Sequence, residues 1–378
     1  MNQYQPHEHY MRLALDLARK GQGYTSPNPM VGALVVADSG AVVGQGYHQR
    51  AGGPHAEVHA LQEAGAKAHN ATLYVTLEPC CVHGKTPPCT TAIMEAGVRR
   101  VVYATQDPNP AVAGRGKETL ERAGIEVLTG ILDAESAHLN RHFNKHIVHR
   151  TPYITMKTAI TLDGKMAVAS GASRWVTGEQ ARRDGHRLRG EHEAIAVGIG
   201  TVLADDPLLS CRHGYENIYR HPHVIVFDSS LRIPRNAALL RQQEVQRKVI
   251  VVTDQTMADT SSAKRLQEWG AQLVFLPRSA NNKLPLPRAM ELLYRDHGIT
   301  SILVEGGAAL TSSILRAGLE DEHVIYMAPK LFGAEGMTWT GALGVDTPDN
   351  ALALEFVSVH TIGKDLRIEA RRTRGKQI

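Results

Sequence analysis

His55-Ala56-Glu57, read together with Leu77-Glu78-Pro79-Cys80 and Pro87-Pro88-Cys89, decides the architecture of the first part of this 378-residue chain. One imidazole and two thiols make three metal ligands. Three protein ligands leave one tetrahedral position open to a water, which a bound metal acidifies toward neutral pH. Glu57 then stands beside the metal without binding it, a carboxylate able to take a proton from that water and pass one to a departing group. Any one of these residues alone is more often structural. In this order, with a proline before each Cys, they argue against a structural zinc site, because such sites close all four positions.

A His two residues before a Glu, followed by a Pro-Cys and a second Cys, is the pattern of the zinc deaminases. Their usual second pair is Cys-x-x-Cys, whereas eight residues separate Cys80 from Cys89. That insert offers Cys81 as a competing ligand, and its His83, Lys85 and Thr86 suit a phosphate or a sugar. His-Ala-Glu followed by Leu-Glu-Pro-Cys-x-x-His-Gly-Lys-Thr-Pro-Pro-Cys resembles the deaminase half of the bifunctional riboflavin-biosynthesis deaminase/reductase family. That family usually has Ser and His where this chain has Cys81 and Val82.

The resemblance implies zinc on His55, Cys80 and Cys89, with Glu57 as the catalytic proton carrier. It also implies that Asn28, in the turn Ser26-Pro27-Asn28-Pro29, holds the pyrimidine; by the residues alone Asn28 is turn chemistry. His48, His83, Lys85 and Thr86 match family positions that face the ribose phosphate. Asp107-Pro108-Asn109-Pro110 and then Gly114-Arg115-Gly116 form a rigid turn followed by a flexible one, which suits a binding loop.

A formal charge of +4 from 42 basic and 38 acidic residues is a weak balance with no basic block, so nucleic acid is not an expected partner. Four cysteines, three of them in the metal pattern, make no disulfide framework and point to a reducing compartment. The N-terminus lacks a basic-then-apolar signal layout, and no apolar run is long enough to span a bilayer. A soluble cytoplasmic protein is expected, without a membrane partner.

The first half reads as a helix over Tyr10 to Lys20, a hairpin of Val31 to Val36 and Ala41 to Tyr47, and a helix from His55 to Ala64. A strand from Ala71 to Leu77 leads to a helix starting at Cys89. Strands at Arg100 to Thr105 and Ile125 to Leu128 follow, with helical stretches at Lys117 to Ala123 and Asp133 to His146. The two metal-bearing helix starts are expected side by side after adjacent strands, in an open sheet covered on both faces. This agrees with the three-layer cytidine-deaminase-like fold that the resemblance implies for residues 1–147.

Residues 148–378 form a different domain, with apolar strands beginning near Tyr153, Ala194, His223, Lys248, Leu273, Ser301 and His323. Thr177-Gly178-Glu179-Gln180 reads as a capping box. A full Gly-x-Gly-x-x-Gly is absent, but Val304-Glu305-Gly306-Gly307 joins a strand to a helix, and free amides at such a start bind phosphate. The wider set resembles the reductase half of the same family: Lys157-Thr158-Ala159, Leu162-Asp163-Gly164-Lys165, Gly171 to Thr177, Gly200 to Pro207, Glu305-Gly306-Gly307 and Ala328 to Leu331.

That half of the family has a dihydrofolate-reductase-like fold and uses NADPH. The resemblance places Ala159, Trp175, Thr201, Asp205, Ser229 and the run Gly307, Ala308, Ala309, Leu310, Thr311, Ser312 and Ser313 on the nucleotide. Ser173, Arg189, Leu209, Arg212 and Glu305 would face the ribosyl phosphate. The guanidinium forks of Arg189 and Arg212 suit a phosphate. Asp228 before Ser229 is ambiguous, since an acid there can hold the ribose of NAD, whereas Ser229 and Arg232 tolerate the extra phosphate of NADPH. Lys157 is a polar participant without an assigned proton role.

The function implied is hydrolytic deamination of a diamino-ribosylamino-pyrimidinone phosphate, followed by NADPH-dependent reduction of ribosyl to ribityl, in a homo-oligomer. Two alternatives stay open on the residues: a deaminase with a non-catalytic nucleotide-binding second half, and a nucleic-acid-editing zinc deaminase.

Overall fold

The computed structural model describes residues 5–83, 87–215, 220–241, 247–279 and 282–373. The chain divides between Arg150 and Thr151 into two compact units, each with its own sheet. Among the described residues no helix is long and apolar enough to cross a membrane.

In the first unit the elements run α1 (Gln5–Arg19), β1 (Gly32–Val36), β2 (Val42–Tyr47), α2 (Ala56–Ala64), β3 (Thr72–Leu77), α3 (Cys89–Glu95), β4 (Arg100–Thr105), α4 (Arg115–Arg122), β5 (Glu126–Thr129), α5 (Asp133–Leu139) and α6 (Arg141–His149). The strands lie in the order β2-β1-β3-β4-β5. β1 pairs antiparallel with both neighbours, and β3, β4 and β5 are parallel. Every residue of β1 and β3 is buried, so both faces need cover. Met11, Ala14 and Leu17 of α1 cover one face against Leu34, Tyr74 and Val102. Ala60, Ile93 and Leu120, from α2, α3 and α4, cover the other against Ala33, Val75 and Val101.

Two expectations need correction here. The strands that precede the metal-bearing helices are not adjacent, because β1 lies between β2 and β3. The helix starts meet nonetheless, since α2 packs very tightly on β2: a Cβ added at Gly46 would stand 2.6 Å from the Ala56 carbonyl oxygen. The helix expected over Asp133 to His146 is also broken at Asn140 into α5 and α6. The Asn140 side chain bonds elsewhere, an alternative that asparagine readily offers to helical continuity.

The second unit runs β6 (Tyr153–Thr161), β7 (Lys165–Ala167), α7 (Glu179–Glu191), β8 (Ala194–Gly198), α8 (Ile199–Asp205), β9 (His223–Phe227), β10 (Val249–Asp254), α9 (Ser261–Glu268), β11 (Ala271–Leu276), α10 (Leu286–His297), β12 (Ser301–Val304), α11 (Ala308–Ala317), β13 (Glu322–Ala328), β14 (Met337–Thr338), β15 (Leu354–Ile362) and β16 (Asp365–Arg372). Its nine-stranded sheet has the order β11-β10-β9-β8-β12-β6-β13-β16-β15. The strands are parallel from β11 through β13, and β16 and β15 close that edge antiparallel. The central strands are near-continuous apolar runs, as two-sided burial requires.

The β15-β16 hairpin was not anticipated, although Gly363-Lys364 between Ile362 and Asp365 is a two-residue turn signal. The capping box at Thr177 does not form. Gly178 is the N-cap of α7, and its amide donates to Asp365 at 2.7 Å, so a carboxylate from β16 does the capping.

Candidate active sites

The tight seating of α2 on β2 and the start of α3 after β3 bring three ligand atoms together. His55 is the N-cap of α2, Cys80 follows β3, and Cys89 opens α3. Their ligand atoms all lie within 4.8 Å of one another, with His55 Nδ1 3.1 Å from Cys89 Sγ and 3.5 Å from Cys80 Sγ. One imidazole nitrogen and two thiols at this spacing fit zinc. The hydrogen bond from Cys89, whose backbone amide also donates to the same sulfur, holds the Cys80 thiol well below its ordinary range. Its partner Cys89 is pushed up by the same contact and by burial. Cys81 is not part of the group.

Glu57, in the first turn of α2, is 4% exposed, and burial pushes its carboxyl up against the pull of His55. It borders a cavity of about 380 Å³ that also takes in His55 and Cys80. Asn28, His48, Val82, Asp107, Asn109 and Phe143 help to form its walls. Both ring nitrogens of His48 are engaged: Nδ1 donates to the Pro54 carbonyl at 3.0 Å, which leaves Nε2 to accept from Asn28 Nδ2 at 3.2 Å. Of the insert, Val82 reaches the cavity, whereas His83 is exposed and does not line it. Lys85 and Thr86 lie outside the described residues.

Glu78 received no role from the sequence, yet it organises one wall. Its carboxylate is 2% exposed and accepts four backbone N–H groups. Oε2 takes Asp107 (3.3 Å) and Gly114 (3.0 Å), while Oε1 takes Gly116 (2.9 Å) and Lys117 (3.2 Å). The loop carrying Asp107 and Asn109 is thereby tied to the strand end that carries Cys80. Burial pushes the Asp107 carboxyl up to about 6, and Glu78 and Cys80 add to the rise.

In the second unit, a cleft of about 880 Å³ opens beside α11, the end of β9 and the start of α8. Ser229, Ala309, Leu310, Ser312 and Ser313 line it, together with Arg232, Lys283 and Arg316. Gly307 is the N-cap of α11 and Ala308 its first residue, while Thr311 is buried. Ala159, Trp175, Thr201 and Asp205 are not among its lining residues. Trp175 is 62% exposed, with the Arg182 guanidinium 4.5 Å over its ring. Asp228 is fully buried, and its carboxylate accepts the backbone N–H groups of Ser230 and Arg232. It is therefore occupied by its own turn.

Arg189 is not an exposed helix charge. Its Nε and Nη2 each donate to one oxygen of Glu305 at 2.8 Å, and Nη1 donates to the Ser210 carbonyl. Lys157 Nζ lies 3.7 Å from the same carboxylate. Burial works against the charge of Glu305, but Arg189 and Lys157 outweigh it and hold the carboxyl well below its usual range. Leu209 is buried with φ +52°, Ser173 is half-buried and Arg212 is exposed. The Arg212 backbone N–H donates to Nδ1 of His186 at 3.1 Å. His186 accepts as a neutral ring because burial, Arg189 and Arg212 drive its pKa down to about 3.

Comparison with known proteins gives two family matches: the cytidine and deoxycytidylate deaminase zinc-binding region over residues 4–105, and the RibD C-terminal domain over residues 152–368. The riboflavin biosynthesis protein RibD of Aquifex aeolicus is 44% identical, covering 97% of this chain and 98% of its own length. That of Escherichia coli is 42% identical, covering 95% and 97%. Among solved structures, Acinetobacter baumannii RibD matches with a TM-score of 0.87 at 36% identity, covering 98% and 100%. A Thermotoga maritima diaminohydroxyphosphoribosylaminopyrimidine deaminase/5-amino-6-(5-phosphoribosylamino)uracil reductase matches at 0.84 and 33%, covering 98% and 99%.

Proposed function

Since the chain belongs to the RibD family of bifunctional riboflavin-biosynthesis enzymes, with a cytidine-deaminase-like and a dihydrofolate-reductase-like domain, we propose the following division of work among its residues. Residues 1–147 deaminate a 2,5-diamino-6-ribosylamino-pyrimidinone 5'-phosphate, taking in water and releasing ammonia. Residues 148–378 then reduce its ribosyl group to ribityl with NADPH. The carrying observation is the meeting of His55, Cys80 and Cys89 beside the buried Glu57 on a cavity sized for one pyrimidine nucleotide.

Zinc, which His55, Cys80 and Cys89 would hold, would supply acidification of a water. Glu57 takes the water proton and returns one to the departing amine. Asn28 orients the pyrimidine, its amide held in place by His48. His83, Lys85 and Thr86 serve the ribosyl phosphate side, as the family resemblance implies, whereas His48, which the resemblance also places there, acts through Asn28.

NADPH would lie in the cleft of the second unit, with its phosphates toward the amides at the start of α11 and its 2'-phosphate toward Ser229 and Arg232. The occupied Asp228 supports NADPH over NADH, because it is not free to bind a ribose hydroxyl. Ala159, Trp175, Thr201 and Asp205 would extend the nucleotide contacts. Ser173, Arg189, Leu209, Arg212 and Glu305 would position the sugar phosphate. The cofactor supplies the hydride, and these residues align the sugar carbon with it. Cytoplasmic location and a homo-oligomer complete the proposal.

The test supplies purified protein with the diamino-pyrimidine ribosyl phosphate and follows ammonia release and NADPH absorbance. Ammonia without cofactor, then NADPH oxidation once it is added, is the expected result. Ammonia alone would reduce the second unit to a binding module.

A further inference from the structure

Asn28 sits in a turn that can do little to hold itself. Pro27 and Pro29 have no N–H to donate, and the Asn28 amide makes a local bond to the Thr25 carbonyl. His48 holds the Asn28 side chain, and further anchoring of the turn's backbone comes from more than a hundred residues later. Met30 donates its N–H to Asn140 Oδ1 at 2.8 Å and accepts from Asn140 Nδ2 at 2.9 Å, so one side-chain amide satisfies both backbone groups. His146 Nε2 lies 2.9 Å from the Pro27 carbonyl oxygen, where its N–H donates. Asn140 and His146 are 2% and 4% exposed.

Asn140 is the residue at which the helix breaks between α5 and α6, and the break leaves its amide on Met30. Phe143, between the two anchors, lines the cavity and packs edge-on against His146 with ring centres 5.5 Å apart. All three lie outside the matched zinc-binding region, which ends at residue 105.

We propose that Asn140 and His146 are positioning residues for deamination: through the Pro27–Met30 turn they fix Asn28 at the distance from the zinc ligands that a bound pyrimidine requires. This rests on the deaminase assignment above and adds α6 to the substrate-recognising machinery. Neither residue is among those that line the cavity. Their influence passes through Asn28.

The experiment measures ammonia release by the full chain with zinc content verified, for Asn140→Ala, Asn28→Ala, the double variant, His146→Ala and His146→Gln. Loss of the two Met30 bonds should raise KM about tenfold or more with a smaller change in kcat. NADPH oxidation on preformed deaminated substrate should stay at the wild-type rate. Because Asn140 acts through Asn28, the double variant should match Asn28→Ala within about twofold. His146→Gln, whose amide can still donate to Pro27, should recover most of what His146→Ala loses.

An unchanged KM in Asn140→Ala, or effects of Asn140 and Asn28 that multiply, would overturn the proposal. If Asn140→Ala does not hold zinc, the His146 pair decides: equal activity of the Ala and Gln variants overturns it, and rescue by Gln upholds it. A wild-type protein that releases no ammonia would remove the deaminase assignment itself, and this proposal with it.

Discussion

Arg189 and Glu305 face each other as a two-point fork, with the Nε and Nη2 of one each 2.8 Å from an oxygen of the other. They join α7 to the strand-to-helix turn after β12. Lysine has a single point of charge and cannot reproduce a planar fork. Arg189→Lys should therefore slow NADPH oxidation on deaminated substrate at least about tenfold, since loss of one charge-assisted bond costs roughly 1.5–3 kcal/mol. Ammonia release should be untouched, and steady-state assays of the two half-reactions check both statements.

Glu57→Gln keeps the shape of the buried side chain and removes its capacity to take up a proton. Ammonia release should fall by about a hundredfold or more, the usual worth of a positioned general acid-base group. NADPH oxidation with preformed deaminated substrate should be spared. Removing the metal with a chelator should likewise abolish ammonia release alone, and added zinc should restore it. Loss of both activities in a folded Glu57→Gln protein would contradict independent sites.

Glu78 accepts two N–H groups on each oxygen. In Glu78→Gln one oxygen becomes an NH2 that faces two donors, leaving buried N–H groups unpaired at about 1–3 kcal/mol each. The loop bearing Asp107 and Asn109 should loosen. The expected outcome is a lower melting temperature for the first unit and a raised KM for ammonia release, checked by calorimetry and kinetics.

The clustering of His55, Cys80 and Cys89, the two-sided cover of the first sheet and the apolar strands of the second unit were legible because each is written locally, as a short motif or an apolar run. Asn140 and His146 carry no such mark. Their function is a hydrogen bond to a turn far away in the chain, and their stretch reads as one ordinary helix. Glu78 stood inside the quoted motif, but its four partners come from a loop that begins 29 residues later. Arg189 was read as a fork for phosphate, and its pairing with Glu305 depends on how α7 packs against the sheet, which no local pattern encodes. The β15-β16 hairpin was available from Gly363-Lys364 but was missed, because β15 is largely exposed and β16 is crowded with charged residues.

His323 is 1% exposed on β13, and among the described residues neither ring nitrogen has a hydrogen-bond partner. Burial, aided by Arg372, lowers its pKa from 6.5 to about 4. The unfolded chain therefore takes up a proton that the fold refuses, so stability is whole above about pH 6.5 and lost as pH falls toward 4. The loss from this residue is roughly 3 kcal/mol across that window. His323→Leu should flatten the pH dependence, with a gain over wild type that is larger at pH 5 than at pH 7.5 in thermal melts of the second unit.

The proposed preference for NADPH rests on what surrounds Ser229. With Asp228 bound to its own turn, no acid among the described residues lines this cleft, and Arg232 and Lys283 border it. Arg232 is half exposed and 3.5 Å from Asp228, whose carboxylate keeps the two backbone N–H groups of its turn when a phosphate draws the guanidinium outward. Arg232→Ala should raise the KM for NADPH about tenfold while leaving that for NADH unchanged, because one charge-assisted contact to the extra phosphate is lost. The contact is partly exposed, so raising the salt concentration should weaken NADPH binding in the wild type more than in the variant. Equal changes with both cofactors would mean that Arg232 supports the cleft and does not read the phosphate.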